Sequence, residues 1–469
     1  MNQQAANPRV PLFTARSIVF IGAVFLLLVG TGWACGRVLL RISRQHGWDL
    51  DLPYNFPLSM FSMRLPGVHT PLWTLGISAA VLLAFVLVAW NLRRVTAGLV
   101  AVLAAGFVLV AGTNLIQGPA YGLQKPHEPH HGALQYFQDA ARVDSAGRFL
   151  REYHTLQPEL GCHSKTHPPG AVLFFHGLIR AVGHPAAVSL VIAALGVVIS
   201  GGFLYGILAG AFNRDTAAYA TLLCLLIPNV QIYYCATLDA VIAGCFLSVV
   251  FFLRLRRTPI AVAGGIAGMF CASFLTFGAV FLPPVILSCE LVTRRTVHRS
   301  VAVLLGTGVI YVAMYLAFGF NYLESLRAAS ALENPNGFML LAAPADYLVT
   351  RLENVCEPLV YFGPFLLVLF VRGLGTMSRE RPRPDLLSWT LAALATLAAM
   401  FLAGVFRTGE TARACLFIAP YLMFPVAAHL DRRHRPQDED PLRWRERKLL
   451  LCLVFGQSLV MQTFGGYLW

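Results

Sequence analysis

Charge is what this sequence is short of. Asp, Glu, Lys and Arg together supply 13% of its 469 residues, about half the share in soluble domains. With 57% hydrophobic residues and a mean hydropathy of +0.64, that scarcity excludes a soluble globular protein. Other absences narrow the class further. There is no Walker A sequence and no nucleotide-binding domain, so nucleotide-driven chemistry has no seat. The polar start carries only Arg9 and Arg16 and leads into a long apolar run without a cleavage site, which predicts an uncleaved first span rather than a signal peptide. Ten cysteines are scattered, many in apolar runs such as Cys224, Cys235, Cys245, Cys271 and Cys289. They outline no disulfide framework and read as small buried hydrophobes.

Long apolar runs are abundant instead. Stretches of roughly 17–25 apolar residues, each long enough to cross a bilayer as a helix, recur near 17–40, 71–91, 96–116, 186–211, 216–232, 237–253, 259–274, 276–292, 300–319, 355–371, 385–404, 411–430 and 449–465. The expected fold is therefore all-α, a polytopic transmembrane bundle of about 13 spans forming one domain over residues 1–469. A net charge of +13 would suit nucleic acid if it were clustered on a face. Here the basic residues fall in short turns, among them Arg93 and Arg94, Arg254 to Arg257, Arg294 to Arg299, and Arg432 to Lys448, the distribution of the positive-inside rule. The charge reports topology, and no nucleic-acid partner is expected. Compact length and short inner loops point to a multi-pass protein of a bacterial inner membrane.

Polar residues collect between Gln117 and Gly170. Six of the thirteen histidines lie between His127 and His167. The alternation of spans places residues 117–185 outside the cytoplasm, provided the apolar piece at 169–183 does not cross. At about fifteen residues it is short for a span and suits a surface or re-entrant helix. Segments 42–70, 320–354 and 405–410 would share that outer face, where nucleotide donors are absent. A transferase working there needs a donor delivered by the membrane.

The order of features, an acidic outer loop, HPPG opening a short apolar helix at His167 to Gly170, a long span, an NRD turn at 213–215 and then LLCLLIPNVQIYYCATLDA, resembles the GT-C membrane glycosyltransferases. Within them it is similar to the protein O-mannosyltransferases and the lipid A aminoarabinose transferases, over roughly residues 117–255 with a weaker echo at 407–420. The resemblance implies transfer of a sugar from a polyprenyl-phosphate carrier to a glycan, lipid or protein acceptor, by direct displacement with inversion. It places an acid early in the outer loop, where this chain has His131 and Gly132. Glu128 and Asp139 are then the candidate bases, with Asp144 third and Asp49 and Asp51 outside possibilities.

Substrate-binding candidates follow from charge and position. His163, Lys165 and His167 alternate, so in an extended stretch they would face one way and hold a phosphate. Pro168 and Pro169 fix a helix start whose free N–H groups favour an anion; a plain helix start is the alternative. Asp239 opens a span, where it either complements the helix dipole or orients the sugar. Arg407, Glu410 and Arg413 lie at the outer end of a late span, where charge is costly and is paired or functional. Arg413 offers the fork of donors suited to a phosphate or carboxylate; a Glu410–Arg413 ion pair is the structural alternative. PHEPHH and CHSKTH hold possible ligands for a divalent metal, but their spacing matches no zinc pattern, so no metal ligand is assigned. A secondary transporter is the second function class, and a non-catalytic relative of the transferases the third. Transport predicts repeated hydropathy and charges at span centres, and neither is evident.

Overall fold

The computed structural model describes residues 11–46, 57–58, 61–63, 73–128, 136–380, 384–406, 410–433 and 441–467. Asp49, Asp51, His131, Gly132 and Arg407 lie outside them. The fold is all-α. Helices α1 (Ala15–His46), α2 (Thr74–Trp90), α3 (Leu92–Val95) and α4 (Leu99–Asn114) lead into the polar segment. That segment holds α5 (Phe137–Ala141), α6 (Ala146–Leu156), α7 (Cys162–Lys165) and α8 (Pro169–Val182). The bundle continues with α9 (Pro185–Ala209), α10 (Arg214–Leu226), α11 (Pro228–Tyr233), α12 (Asp239–Arg254), α13 (Thr258–Leu275), α14 (Leu282–Arg294) and α15 (His298–Phe318). Then follow α16 (Tyr322–Glu333), α17 (Met339–Ala342), α18 (Pro344–Phe362), α19 (Pro364–Glu380), α20 (Pro384–Leu402), α21 (Thr411–Ala414), α22 (Ala419–Arg432) and α23 (Pro441–Phe464). One short antiparallel ladder pairs β1 (Phe61–Met63) with β2 (Gly465–Tyr467), Phe61 opposite Tyr467.

Among the described residues six helices are long and apolar enough to cross a bilayer, or eight if two bent pairs each count as one span. Most of the other apolar runs form shorter or interrupted helices, and the run at 449–465 lies almost entirely within α23, whose first turns are charged. The span expected at 355–371 is a correction: the chain bends by 96° between α18 and α19. Gly363 supplies the bend with φ +92, a conformation open to glycine and strained for other residues. Pro364 then starts α19, where its missing N–H costs nothing. The second bent pair turns by 111° after α4 and leads into 120–127.

Burial sorts the helices radially. α1 and α15 expose apolar side chains such as Leu26, Leu27, Leu305, Val309 and Leu316, which in a membrane protein face lipid. By contrast, Thr216 to Leu226 of α10 are buried on every side, as are all of α11 and most of α12. A helix that is apolar all round belongs in the interior. α12 packs against both α9 and α13, so its first residue, Asp239, is held by helices on either side.

Candidate functional site

The polar segment folds into a platform. Asp139 accepts the backbone N–H of Gly161 at 2.8 Å, fixing the chain just before α7. Tyr153 donates its hydroxyl to the carbonyl of His167 at 2.5 Å. Gln157 donates to the carbonyls of Lys165 at 2.9 Å and Ser325 at 3.0 Å, tying the platform to α16. His154 accepts the backbone N–H of Asn321 at 2.9 Å, a second tie to that helix.

The extended stretch expected for 163–167 is overturned, because residues 162–165 form the helical turn α7. A helical turn brings i and i+4 together rather than i and i+2. His163 and His167 therefore line the same cavity, and Lys165 is not among its walls. The His167 Nδ1–H donates to the His163 carbonyl at 3.0 Å, leaving Nε2 as its acceptor nitrogen. Burial, reinforced by the neighbouring His163, pushes His167 down to about 3. The HPPG element does start a helix, with Pro169 in its first turn. Its glycine has a packing cause: a Cβ at Gly170 would meet the Phe274 carbonyl at 2.1 Å. Pro169, Gly170 and Ala171 are buried and are not among the cavity walls.

Opposite this platform, α21 is held from beneath by α18. Glu357, fully buried, accepts the N–H of Ala412 at 3.1 Å and the hydroxyl of Thr411 at 3.4 Å. The same hydroxyl donates to the Asn354 carbonyl at 3.1 Å. The next residue, Arg413, has a side chain only 5% exposed. Its Nη2 donates to Glu410 Oε2 at 2.5 Å and to His163 Nε2 at 2.8 Å. Its Nε lies 3.8 Å from Asp239 Oδ2, too far for a hydrogen bond, and has no hydrogen-bond partner among the described residues. Burial raises the Glu410 carboxyl, but the Arg413 guanidinium outweighs it and the group is held at about 2.

These groups surround a cavity of about 380 Å³. His163, His167, Asp239, Glu333, Glu410 and Arg413 line its charged part; Ile242, Phe246, Phe277, Val280 and Phe417 line an apolar part. Six residues from elements far apart in sequence thus meet at one opening. Glu128 and Asp139 are not among the cavity walls. Asp144 is 85% exposed and 3.9 Å from Arg148. Three residues escaped the sequence reading, one of them Glu333, an exposed acid at the end of α16 among the cavity walls. Tyr136 is a buried wall with its ring edge-on to His167 at 5.3 Å; nothing in its local pattern separates it from a packed aromatic. Glu357 could have been found, since an acid inside an apolar run is itself a signal.

Among the described residues no group of three or more His, Cys, Asp or Glu side chains is arranged to hold a metal ion. His127, from PHEPHH, instead hydrogen-bonds Ser189 Oγ at 2.9 Å in a buried setting.

No family model and no curated protein matches the chain. Among the solved structures that resemble it are two membrane-enzyme neighbours of low identity. ArnT from Cupriavidus metallidurans, in the apo state, is 16% identical over 65% of this chain and 57% of its own, with a TM-score of 0.39. The Archaeoglobus fulgidus oligosaccharyltransferase, in complex with Zn and sulfate, is 16% identical over 64% of this chain and 45% of its own, with a TM-score of 0.38. The chain thus spans about half the length of the proteins it resembles.

Proposed function

We propose that the protein is a membrane glycosyltransferase that moves a sugar from a polyprenyl-phosphate donor to an acceptor hydroxyl outside the cytoplasm of a bacterial inner membrane. The observation that carries this reading is the cavity itself, with a buried arginine, three carboxylates and two imidazoles in one part and an apolar wall in the other. An amphiphilic ligand with an anionic head and a hydrocarbon tail matches that division. Arg413 and His163 are suited to the phosphate, because the guanidinium fork recognises phosphate oxygens and its Nε has no hydrogen-bond partner among the described residues.

The two carboxylates beside Arg413 divide by how tightly it holds them. Glu410 is bonded to it at 2.5 Å and held at about 2, which leaves a poor proton acceptor. Asp239 sits at 3.8 Å and is the better base. In the proposed step the acceptor oxygen attacks the anomeric carbon, the carbon–oxygen bond to phosphate breaks, and the bonding pair leaves with the phosphate. The acceptor proton passes to Asp239. In this reading Asp139 supports the platform through Gly161, and Glu128 takes no part in the step.

The test is transfer of radiolabelled sugar from a polyprenyl phosphate by the purified protein. Product should form with the wild type and with Glu128→Gln, and should fall at least about hundredfold with Asp239→Asn. Uptake of the label into vesicles without covalent product would replace this reading by transport.

A further inference from the structure

A second cavity, of about 400 Å³, lies at the other end of the same helices. α12 begins at the first cavity with Asp239 and reaches the second with Arg254, at the two ends of the helix, about 22 Å apart at the rise of an α-helix. α20 spans the same interval, from Asp385 at the second cavity to Ala403, just beyond its end, at the first. That separation approaches the thickness of a bilayer's hydrocarbon core, roughly 30 Å. The two cavities therefore open toward opposite membrane boundaries.

The charged walls of the second cavity are Arg254, Arg294, Arg299, Glu290 and Asp385. Three arginines against two carboxylates leave one net positive charge, and the hydrogen bonds locate it. Asp385 accepts from Arg254 Nε at 3.0 Å and Nη2 at 2.7 Å. Glu290 is occupied by the backbone N–H groups of Arg299 at 3.2 Å and Ser300 at 2.7 Å. Arg299 spends its side chain on the carbonyls of Leu255 and Arg256 and the Thr258 hydroxyl. Arg294 makes one long bond, 3.4 Å to the Leu253 carbonyl, and is exposed. Among the described residues, Arg294 is thus the cation of this cavity whose donors remain largely uncommitted. Beneath it lie the apolar walls Ile207, Phe251, Ile286 and Trp389. Beside it, Leu291, Val292 and Val301 are exposed, a surface suited to lipid.

We propose that this cavity binds the phosphate headgroup of an anionic phospholipid, with Arg294 on the phosphate and an acyl chain against the apolar walls. Basic pockets between helices at the cytoplasmic boundary recognise such headgroups. A soluble phosphate would satisfy Arg294 but would leave the apolar walls uncovered, so the lipid is favoured. The proposal is independent of the transfer reaction.

Retention of phosphatidylglycerol by the full chain in non-ionic detergent, measured by native mass spectrometry, tests it. Phosphatidylcholine and inorganic phosphate serve as comparison ligands. Phosphatidylglycerol should bind in preference to phosphatidylcholine, and inorganic phosphate should not displace it. Arg294→Ala should weaken binding roughly fivefold, the worth of one basic residue beside an anionic lipid. Gly210→Phe should block binding by filling the cavity: Gly210 is one of its walls, has φ −72, and a Cβ there meets only carbonyls of its own helix at 3.3 and 3.6 Å. Equal retention by wild type and Arg294→Ala would overturn the proposal, as would equal binding of phosphatidylcholine. Displacement by inorganic phosphate would reassign the cavity to a soluble phosphate. Should Gly210→Phe fail to fold, the exposed Arg294 variant still decides.

Discussion

The cluster at Arg413 and the cluster at Asp215 use the same side chains in opposite proportion. At one, a buried arginine faces two carboxylates, Glu410 at 2.5 Å and Asp239 at 3.8 Å, and borders a cavity. At the other, one carboxylate faces two arginines, Arg443 at 2.6 Å and Arg447 at 2.7 Å, and takes the Thr96 hydroxyl at 3.0 Å. No cavity adjoins Asp215 among the walls of the two described above. Burial raises the Asp215 carboxyl, but Arg447 and Arg443 outweigh it and hold the group below its ordinary value. Asn213 caps α10 at the same turn, accepting the Asp215 N–H at 2.9 Å. The Asp215 carboxylate is saturated with donors and staples α10 to α23; the Arg413 cluster keeps donor capacity in reserve beside open space. Saturation marks structure, and reserve marks a place for a ligand.

That contrast breaks if substitutions at the two clusters have the same consequence. Arg413→Ala should give the largest effect, a loss of at least about hundredfold in sugar transfer, the scale of removing a preorganised donor from a developing charge. Arg413→Lys should not restore it, because an ammonium that replaces Nη2 between Glu410 and His163 has no second nitrogen to present to a phosphate as Nε does. Asp215→Asn should leave turnover within about twofold and lower thermal stability instead. Breaking a fully buried ion pair costs roughly 3–5 kcal/mol; with Asp215 27% exposed, about 2 kcal/mol is expected, read as a lower unfolding temperature in detergent. Loss of transfer with unchanged stability in Asp215→Asn would erase the distinction.

The boundary between the two roles is sharpened by Glu357, which touches no cavity wall in the described hydrogen bonds yet holds the residues next to Arg413. Glu357→Gln retains an acceptor oxygen but loses its charge, and a hydrogen bond to a charged group is worth about 1.5–3 kcal/mol. Transfer should fall about tenfold through turnover, with donor affinity altered less and the unfolding temperature lowered. Loss of stability alone would make Glu357 part of the packing rather than a positioning residue.

Much of this arrangement was legible in the sequence, for definable reasons. The all-α membrane fold follows from apolar runs and scarce charge, and those signals are local. His163, His167, Asp239, Glu410 and Arg413 were marked because charge near a membrane boundary is costly wherever it lies. Their meeting was not readable, because α7, α12 and α21 are brought together by packing across about 250 residues of chain, the separation of the His163–Arg413 bond. Periodicity misled at Lys165, where alternation was read on a segment too short to distinguish a strand from one helical turn. It misled again at 355–371, where apolar composition continues across a bend that only Gly363 and Pro364 mark. Asp139 reads as a candidate base because an acid in a polar loop has no visible partner in sequence; the structure gives it one, the N–H of Gly161, 22 residues away.

The smallest expected effect concerns acid. Glu410 is held at about 2 and His167 at about 3, so neither titrates between pH 5 and 8. Any inflection of transfer in that interval belongs to another group. For stability the signs run the same way in both residues. Glu410 has a depressed value, so its contribution is complete above about pH 4.5 and fades as pH falls toward 2. His167 is buried uncharged, so the unfolded chain takes up its proton first; its contribution is complete above about pH 6.5 and fades as pH falls toward 3. Between pH 6.5 and 4.5, therefore, only His167 of the pair destabilises the fold on acidification. His167→Gln should flatten the fall of unfolding temperature over that interval, while Glu410→Gln should leave its slope unchanged. A slope altered by Glu410→Gln but not by His167→Gln would show that the carboxylate is held less tightly by Arg413 than the 2.5 Å contact implies, and the division between Glu410 and Asp239 would have to be redrawn.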